Sequence, residues 1–286
     1  MNILILGSSG LLGRELFEFL KSYKKINVIH NGLKSRKLNI NNKFNLKKLI
    51  LASNPSLIIN ASGITNIDYC EKDKKNSYRI NVSTVKNVFK IKKEFKLNFF
   101  FIQFSTDQLY DNKAKIPNKE TDKTYKNNEY SKQKLAVEKV CLRENATIFR
   151  TNFFGRSKYK DSFDQWVFKS FISKKTFFLF IDQYFSPLRI KTICRIIRHI
   201  IFRKKYIKGI FNLGSNNGLS KIEFSKIFAK KNLIYNNYFI PAEINTICKV
   251  KRSKNMLLNV KKFEKIFQIK LPKLLNEINS EIKNNY

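Results

Sequence analysis

Residues Met1–Gly13 read MNILILGSSGLLG, a short apolar run that leads directly into a glycine-rich loop. The run before the loop has the composition of a buried strand, and the leucines after it recur every four residues, as on one face of a helix. Gly7, Gly10 and Gly13 give the spacing GxxGxxG, which allows a tight turn and lets backbone N–H groups approach a pyrophosphate at the helix N-terminus. The stretch therefore predicts the first strand, loop and helix of a dinucleotide-binding fold.

The first half of the chain continues this alternation of apolar runs and helical patterns, which is typical of a parallel α/β sheet. Strands are predicted at 1–6, 26–30, 57–60, 99–105 and 147–151, and helices at 11–21, 44–53, 77–96 and 129–142. The second half is less regular, with helices predicted at 164–172, 191–202, 221–229 and 261–267 and strands at 177–181 and 209–213. We expect a Rossmann-type doubly wound parallel sheet with a smaller α/β region.

The balance of charge is the unusual feature of the composition. The chain has 286 residues and a formal net charge of +36, although 43% of its residues are hydrophobic. Such a charge favours nucleic acid or an anionic membrane as partner. The basic residues are dispersed rather than gathered in one stripe, and no apolar run reaches the ~18 residues of a membrane span. We therefore expect no dedicated nucleic-acid binding and no membrane insertion, and a charge that mainly reflects biased composition.

The cysteines and histidines are isolated in the sequence. No two of the four cysteines have the CxxC spacing of a zinc or redox site, and the two histidines lie far apart. The first residues also lack the basic region of a signal peptide. These patterns predict reduced thiols, no metal site and a cytoplasmic protein.

The end of the second predicted strand bears on the choice of cofactor. A simple NAD site has an acidic residue there, but this chain has His30 and Asn31, and no Asp or Glu occurs between Glu18 and Asp68. Basic residues follow instead: Lys34, Arg36 and Lys37. They favour the 2′-phosphate of NADP, although the general excess of lysine explains them equally simply. NADPH is the expected cofactor, with NADH as the alternative.

A Tyr-Lys pair and a strand-end hydroxyl form the predicted catalytic group. Tyr130 and Lys134 are four apart and lie on one helix face. A neighbouring ammonium favours the phenolate form of a tyrosine, which can then exchange a proton with a carbonyl oxygen. Thr106 directly follows the fourth predicted strand, at the sheet edge where doubly wound folds bind ligands. The three residues together indicate ketone chemistry.

With these motifs the chain resembles the extended short-chain dehydrogenases/reductases and, within them, the dTDP-4-dehydrorhamnose reductases. The resemblance covers most of the chain. Its segments, besides the glycine loop, are Asn60–Glu71 (NASGITNIDYCE), Arg79–Val82 (RINV), Phe104–Tyr110 (FSTDQLY), Tyr130–Glu138 (YSKQKLAVE), Arg150–Gly155 (RTNFFG), Asp182–Pro187 (DQYFSP) and Arg252–Asn255 (RSKN).

The resemblance implies reduction of the C4 keto group of a nucleotide-linked 4-keto-6-deoxy sugar, for surface-polysaccharide synthesis. Residues 1–151 would bind NAD(P) and 152–286 mainly the substrate, with about 180–215 returning to the first body. Tyr130 would protonate the C4 oxygen, Lys134 would hold the nicotinamide ribose, and Thr106 would hydrogen-bond the reacting oxygen. The other implied cofactor-binding residues are Gly7, Gly10, Leu11, Leu12, Gly13, Asn39, Ile40, Gly63, Ile64 and Thr65. The implied substrate-binding residues are Thr106, Asp107, Phe153 and Arg252. A homodimer is compatible with the resemblance.

Departures from the family pattern concern substrate recognition. Asn39 stands where relatives often have Asp, Asn152-Phe153 where a Trp is common, and Ser253 where Pro is usual. Phe153 fits core packing as well as a ligand role. Gln108 replaces the Glu of the similar 4,6-dehydratases, which disfavours elimination because an amide is no base. Two alternatives stay open: a reductase or epimerase of another nucleotide sugar, and a non-catalytic NADP-binding regulatory subunit.

Overall fold

The computed structural model describes residues 1–32, 38–113, 115–155, 162–173 and 175–282. Its strands are β1 (Asn2–Leu6), β2 (Asn27–His30), β3 (Leu57–Asn60), β4 (Phe100–Thr106), β5 (Ala146–Thr151), β6 (Phe153–Phe154), β7 (Phe177–Phe180), β8 (Tyr184–Phe185), β9 (Leu188–Arg189), β10 (Gly209–Leu213), β11 (Leu219–Ser220), β12 (Phe239–Ala242) and β13 (Asn255–Met256).

The α-helices are distributed along the whole described chain. They are α1 (Leu11–Leu20), α2 (Lys43–Ser53), α3 (Ile67–Lys72), α4 (Lys74–Tyr78), α5 (Thr84–Glu94), α6 (Glu129–Leu142), α7 (Phe163–Ile172), α8 (Ile190–Phe202), α9 (Lys221–Lys231), α10 (Ile244–Ile247), α11 (Lys261–Phe267) and α12 (Leu274–Ile282). None of these helices has the length and apolar composition needed to cross a bilayer.

The central sheet has the strand order β10-β5-β4-β3-β1-β2, and the pairs β2–β1, β1–β3 and β3–β4 are parallel. The chain therefore leaves β1 on one side to form β2 and returns to form β3 on the other side. This change of direction places a crevice outside the carboxyl ends of β1 and β3, where doubly wound sheets bind their ligands. The predicted fold class is confirmed.

The predicted helix over 77–96 is wrong in one respect, because it is not continuous. The structure has α4, a π-helical turn at Arg79–Ser83 and then α5. The side chain of Asn81 in this turn bonds to the backbone of Ile64 rather than to its own helix. A π turn admits the extra residue that this outside contact requires. The short strands of the second half carry too little periodicity for the sequence to indicate them.

The chain divides into two compact units. Unit 1 comprises Met1–Ser105, Asn128–Phe149 and Cys194–Ile210, and unit 2 comprises Thr106–Asn127, Arg150–Ile193 and Phe211–Tyr286. The core of unit 1 includes Leu4, Ile58 and Phe101 from adjacent strands. Unit 2 has its own core, rich in phenylalanine, with three small sheets. The division of labour expected between residues 1–151 and 152–286 concerns binding and stays a prediction.

Candidate functional site

The glycine loop after β1 is closed by backbone contacts that leave no room for side chains. The N–H of Gly10 donates to the carbonyl of Gly7 at 2.9 Å, and Gly7 has φ +87°. A Cβ on Gly7 would lie 2.4 Å from the backbone nitrogen of Ser62, and one on Gly13 would lie 2.2 Å from the Gly7 carbonyl oxygen. The loop therefore needs glycine at both places for steric reasons.

Helix α1 begins directly after this loop, with an N-terminus suited to an anion. Gly10 is its N-cap and provides no side-chain cap, and the first turn holds no acidic residue. The first backbone N–H groups of such a helix lack intrahelical acceptors and carry the positive end of the helix dipole. The loop thus fits the pyrophosphate of a dinucleotide, as the sequence indicates.

Asn31, after β2, has a role that the sequence analysis did not find. Its side-chain Oδ1 accepts hydrogen bonds from the N–H groups of Gly7 at 2.9 Å and Ser8 at 3.2 Å. The residue is 4% exposed. An amide thus supports the glycine loop from the position at which a simple NAD site has its carboxylate. The candidate 2′-phosphate ligands Lys34, Arg36 and Lys37 lie outside the described residues.

The loop after β3 is fixed by hydrogen bonds from the side chain of Asn81 to the loop backbone. The side chain of Asn81 accepts from the N–H of Ile64 at 2.7 Å and donates to the Ile64 carbonyl at 3.1 Å. Its amide also donates to Gln133 of α6 at 2.8 Å. Gly63, with φ +153°, lies so close that a Cβ there would be 3.7 Å from Nζ of Lys134. The structure thereby brings the predicted cofactor segment Gly63–Thr65 next to the predicted catalytic lysine.

Helix α6 presents the Tyr-Lys pair as the spacing predicts. An Asn128–Ser131 capping box fixes the start of the helix, which places Tyr130 in its first turn. Both Tyr130 and Lys134 are 6% exposed, and the Lys134 Nζ lies 5.7 Å from the centre of the tyrosine ring. The ammonium is therefore within cation–π range of the ring that bears the phenol hydroxyl.

Lys134 is buried, and its surroundings affect its pKa. Its Nζ donates to the carbonyl oxygen of Phe104 at 3.2 Å. Burial lowers the pKa of Lys134 to about 8, and the nearby Glu138 carboxylate opposes this shift. Glu138 is one helical turn further along α6, is 2% exposed and accepts a 2.6 Å hydrogen bond from the Ser105 hydroxyl. Glu138 thus helps to keep Lys134 protonated near neutral pH.

Replacing Glu138 by glutamine should lower the pKa of Lys134 further, because the opposing negative charge is removed while Ser105 keeps an acceptor. We expect the alkaline limb of the kcat/KM profile to move down by about one pH unit. Rates measured between pH 6 and 10 test this. Glu144→Gln is the matched control, since Glu144 pairs with Lys93 at 2.9 Å instead. An unshifted limb in Glu138→Gln contradicts the assignment.

Thr106 and Asp107 belong to unit 2, where β4 ends in a single 3-10 turn. Thr106 is the N-cap of this turn and accepts from the N–H of Gln108 at 3.2 Å. Asp107 is 1% exposed, and its Oδ2 accepts from the Asn152 side chain at 2.8 Å. Burial raises the pKa of Asp107 above its ordinary value, and Asn152 together with Lys221 opposes that shift. The turn therefore holds a buried carboxylate next to an oriented hydroxyl.

Lys221 is the second residue that sequence reasoning missed. It is the first residue of α9, between the two residues of the Ser220–Glu223 capping box. Its ammonium nitrogen lies 3.6 Å from the ring centres of both Phe163 and Phe185. A signal was present in the sequence, because a lysine in the first turn of a helix opposes the helix dipole.

The other residues predicted to bind substrate or cofactor differ in how deeply they are buried. Phe154 is fully buried in the unit 2 core, whereas Phe153 is only partly buried. Arg252 is tied through its backbone N–H to the Asn245 side chain at 2.9 Å. In unit 1, Asn39 is exposed, and Ile40 packs in the core. Ligand contacts of these residues stay predictions.

Gln108 supports the reading that elimination is disfavoured. Its side-chain nitrogen lies 2.8 Å from the sulfur of Met256, and its backbone carbonyl accepts from the Ser253 hydroxyl at 2.8 Å. The side-chain amide of Gln108 is not a base, so it cannot take up a proton at neutral pH. The neighbouring Asp107 is thus the carboxylate that this turn supplies.

The sequence and the structure both match known proteins over nearly their full length. The family model described as "RmlD substrate binding domain" matches residues 1–286. The dTDP-4-dehydrorhamnose reductase of Salmonella typhimurium is 24% identical over 95% of this chain and 94% of its own.

Solved structures have the same fold. A dTDP-4-dehydrorhamnose reductase from Clostridium acetobutylicum superposes with a TM-score of 0.88 at 25% identity, covering 99% of each chain. One from Bacillus anthracis, solved in complex with NADP, gives 0.85 at 20% identity, again over 99% of each chain.

Proposed function

The chain belongs to the RmlD substrate binding domain family, and from this premise we propose that it is an NADPH-dependent reductase of a nucleotide-linked 4-keto-6-deoxy sugar. The observation that carries the proposal is the buried Tyr130–Lys134 pair beside the Gly63 loop of a dinucleotide-binding fold. Relatives named dTDP-4-dehydrorhamnose reductase support the substrate class.

The residues of unit 1 fit the cofactor. The glycine loop and the uncapped start of α1 would hold the pyrophosphate, and Gly63, Ile64 and Lys134 would adjoin the nicotinamide ribose. When bound, NADPH supplies the hydride for the carbonyl carbon. Support for NADP comes from the relative solved with it and from the lack of an acid after β2.

Tyr130 has the role of general acid in this proposal. As hydride reaches the carbonyl carbon, the carbonyl oxygen gains charge and takes the proton of the Tyr130 hydroxyl. The Lys134 ammonium stabilises the phenolate that remains, and Glu138 keeps that ammonium charged. Protons from water then restore the tyrosine. Thr106 and Asp107 are assigned to hydrogen bonding of the sugar.

The function is tested with a panel of nucleotide 4-keto sugars, NADH and NADPH, and product analysis by NMR. We expect NADPH-dependent formation of a 4-hydroxy sugar without loss of water. The dTDP-linked 4-keto-6-deoxy sugar should have the highest kcat/KM. Turnover of no 4-keto sugar, with tight NADPH binding retained, overturns the proposal and favours a regulatory subunit.

A further inference from the structure

Gln133 is a polar residue at a buried position of α6, the helix that carries Tyr130 and Lys134. It is 1% exposed and stands one turn before Val137, which packs in the core of unit 1. A buried amide costs free energy unless its donors and its acceptor are hydrogen-bonded, and an apolar residue of the same size would avoid this cost. The contacts of the Gln133 amide therefore indicate what the residue does.

The side chain of Gln133 uses both its carbonyl and its amino group. Its Oε1 accepts from the Asn81 amide at 2.8 Å, and its Nε2 donates to the Ser77 hydroxyl at 2.8 Å and to the Glu129 carboxylate at 3.3 Å. Asn81 and Ser77 are buried as well, so bulk water does not compete for their bonds to Gln133. Gln133 thereby joins α6 to α4 and to the π turn that follows α4.

The direction of the Asn81–Gln133 hydrogen bond is fixed by the other contacts of Asn81. Its Oδ1 accepts from the N–H of Ile64 at 2.7 Å, while its Nδ2 donates to the carbonyl of the same residue at 3.1 Å. Turning the Asn81 amide over would place donor against donor and acceptor against acceptor. The second hydrogen of Nδ2 therefore needs an acceptor on α6, which Gln133 supplies because Ser77 and Glu129 hold its amide in the matching orientation.

We propose that Gln133 is a positioning residue that fixes the Asn81 amide and thereby holds the backbone of Ile64 beside the Lys134 ammonium. A Cβ on Gly63 would lie 3.1 Å from the Asn81 Oδ1 and 3.7 Å from the Lys134 Nζ, so the hydrogen-bond network ends next to the lysine. Gly63, Ile64 and Lys134 are assigned to the nicotinamide ribose, and in this respect the inference rests on the proposed function. The network itself does not depend on that assignment.

The network affects the geometry of hydride transfer. Packed helices can slide past each other by small shifts, whereas hydrogen bonds between buried amides fix both distance and direction. A misplacement of about 1 Å at a reacting centre can lower the rate about a hundredfold. We expect Gln133 to influence the nicotinamide half of the cofactor and not the adenosine half, because the glycine loop after β1 is a separate element.

The network is tested first in the protein without ligand, by NMR measurement of amide hydrogen exchange. Gln133→Met removes the acceptor that orients Asn81. We expect the N–H of Ile64 to exchange about tenfold faster, while the N–H of Ile59 in β3 keeps its rate. An unchanged rate at Ile64, or an equal rise at Ile59, overturns the proposal, because the second result indicates a general loss of stability.

Gln183→Met is the matched control for the loss of a buried amide. Gln183 lies in unit 2, is 6% exposed and donates to a backbone carbonyl at 3.0 Å. Its replacement should leave the exchange of Ile64 unchanged. Should Gln133→Met fail to fold, Ser77→Ala takes its place, because it removes only the hydroxyl that accepts from the Gln133 amide. We then expect exchange at Ile64 to be about threefold faster, and an unchanged rate overturns the proposal.

Cofactor fragments separate positioning from a general loss of binding. We expect Gln133→Met to raise the Kd for NADP⁺ about tenfold. The Kd for 2′,5′-ADP, which lacks the nicotinamide ribose, should stay within about twofold of the wild type. Isothermal titration calorimetry measures both values without turnover. A destabilised unit 1 would bind both ligands less tightly, so an equal rise of the two Kd values overturns the positioning role.

A double-mutant cycle tests whether Gln133 acts through Asn81. Asn81→Ala removes both side-chain bonds to Ile64, so the addition of Gln133→Met should not raise the Kd for NADP⁺ further. Additive effects of the two changes show that Gln133 acts by another route and overturn the proposal. Failure of the wild type to reduce any 4-keto sugar overturns the proposed function alone, because exchange and binding are measured without substrate.

Discussion

We expect Tyr130→Phe to lower kcat for reduction of the nucleotide-linked 4-keto sugar about a thousandfold, with NADPH binding retained. A positioned general acid contributes roughly 10²- to 10⁴-fold to such a rate, and phenylalanine removes the only proton that this side chain can give. The ring packing is kept, because Tyr130 is 6% exposed and the change deletes a single oxygen atom. Single-turnover rates and NADPH fluorescence titration measure the two quantities.

The matched control for this variant is Tyr78→Phe. Tyr78 is also a tyrosine of unit 1 next to a lysine, since its hydroxyl accepts from Lys86 Nζ at 2.9 Å, but it is 38% exposed. Its loss should leave kcat within about twofold. If Tyr130→Phe keeps a kcat within threefold of the wild type, the proton comes from another group and the mechanism is wrong.

The second large effect is expected for Lys134→Met. The change removes the ammonium that stabilises the tyrosine phenolate, and it leaves the Phe104 carbonyl and the Glu138 carboxylate without their charged neighbour. We expect kcat to fall about a hundredfold and the KM for NADPH to rise, because the same ammonium is assigned to the nicotinamide ribose. Stability should also fall, since a buried carboxylate loses its counter-charge.

Lys132→Met separates the role of Lys134 from a general loss of positive charge on α6. Lys132 lies on the same helix, its side chain is 51% exposed, and it pairs with Glu129 at 3.8 Å. Its replacement should change neither kinetic constant, because exposed ion pairs contribute little. A rise in the KM for NADPH of equal size in both variants would show that bulk charge, rather than the buried ammonium, is responsible.

The net charge of +36 is distinct from the positive charge at the candidate site. The lysine that bears on the candidate site, Lys134, is only 6% exposed, and burial lowers its pKa to about 8. The charge of Lys134 is favoured by one neighbouring carboxylate, Glu138. A general positive field is a separate property, and salt screens it far more than it screens a buried pair.

The fold and the common helix face of Tyr130 and Lys134 follow from local patterns in the sequence. The glycine spacing after β1 dictates a turn that only small residues allow, and the i, i+4 spacing of Tyr130 and Lys134 fixes their common helix face. Such features are local, so their geometry follows from the backbone periods of helix and strand.

The groups that contact these loops and side chains are identified by the folded chain and not by its sequence. Asn31 supports the glycine loop, Asn81 in a π turn fixes the loop at Ile64, and Asn152 donates a hydrogen bond to the buried Asp107 carboxylate. Each of these hydrogen bonds joins segments that are far apart in the chain. Burial strengthens each bond, because water is excluded and the local dielectric is low. Sequence spacing does not indicate which distant residues are buried together, so these contacts are known from the folded structure alone.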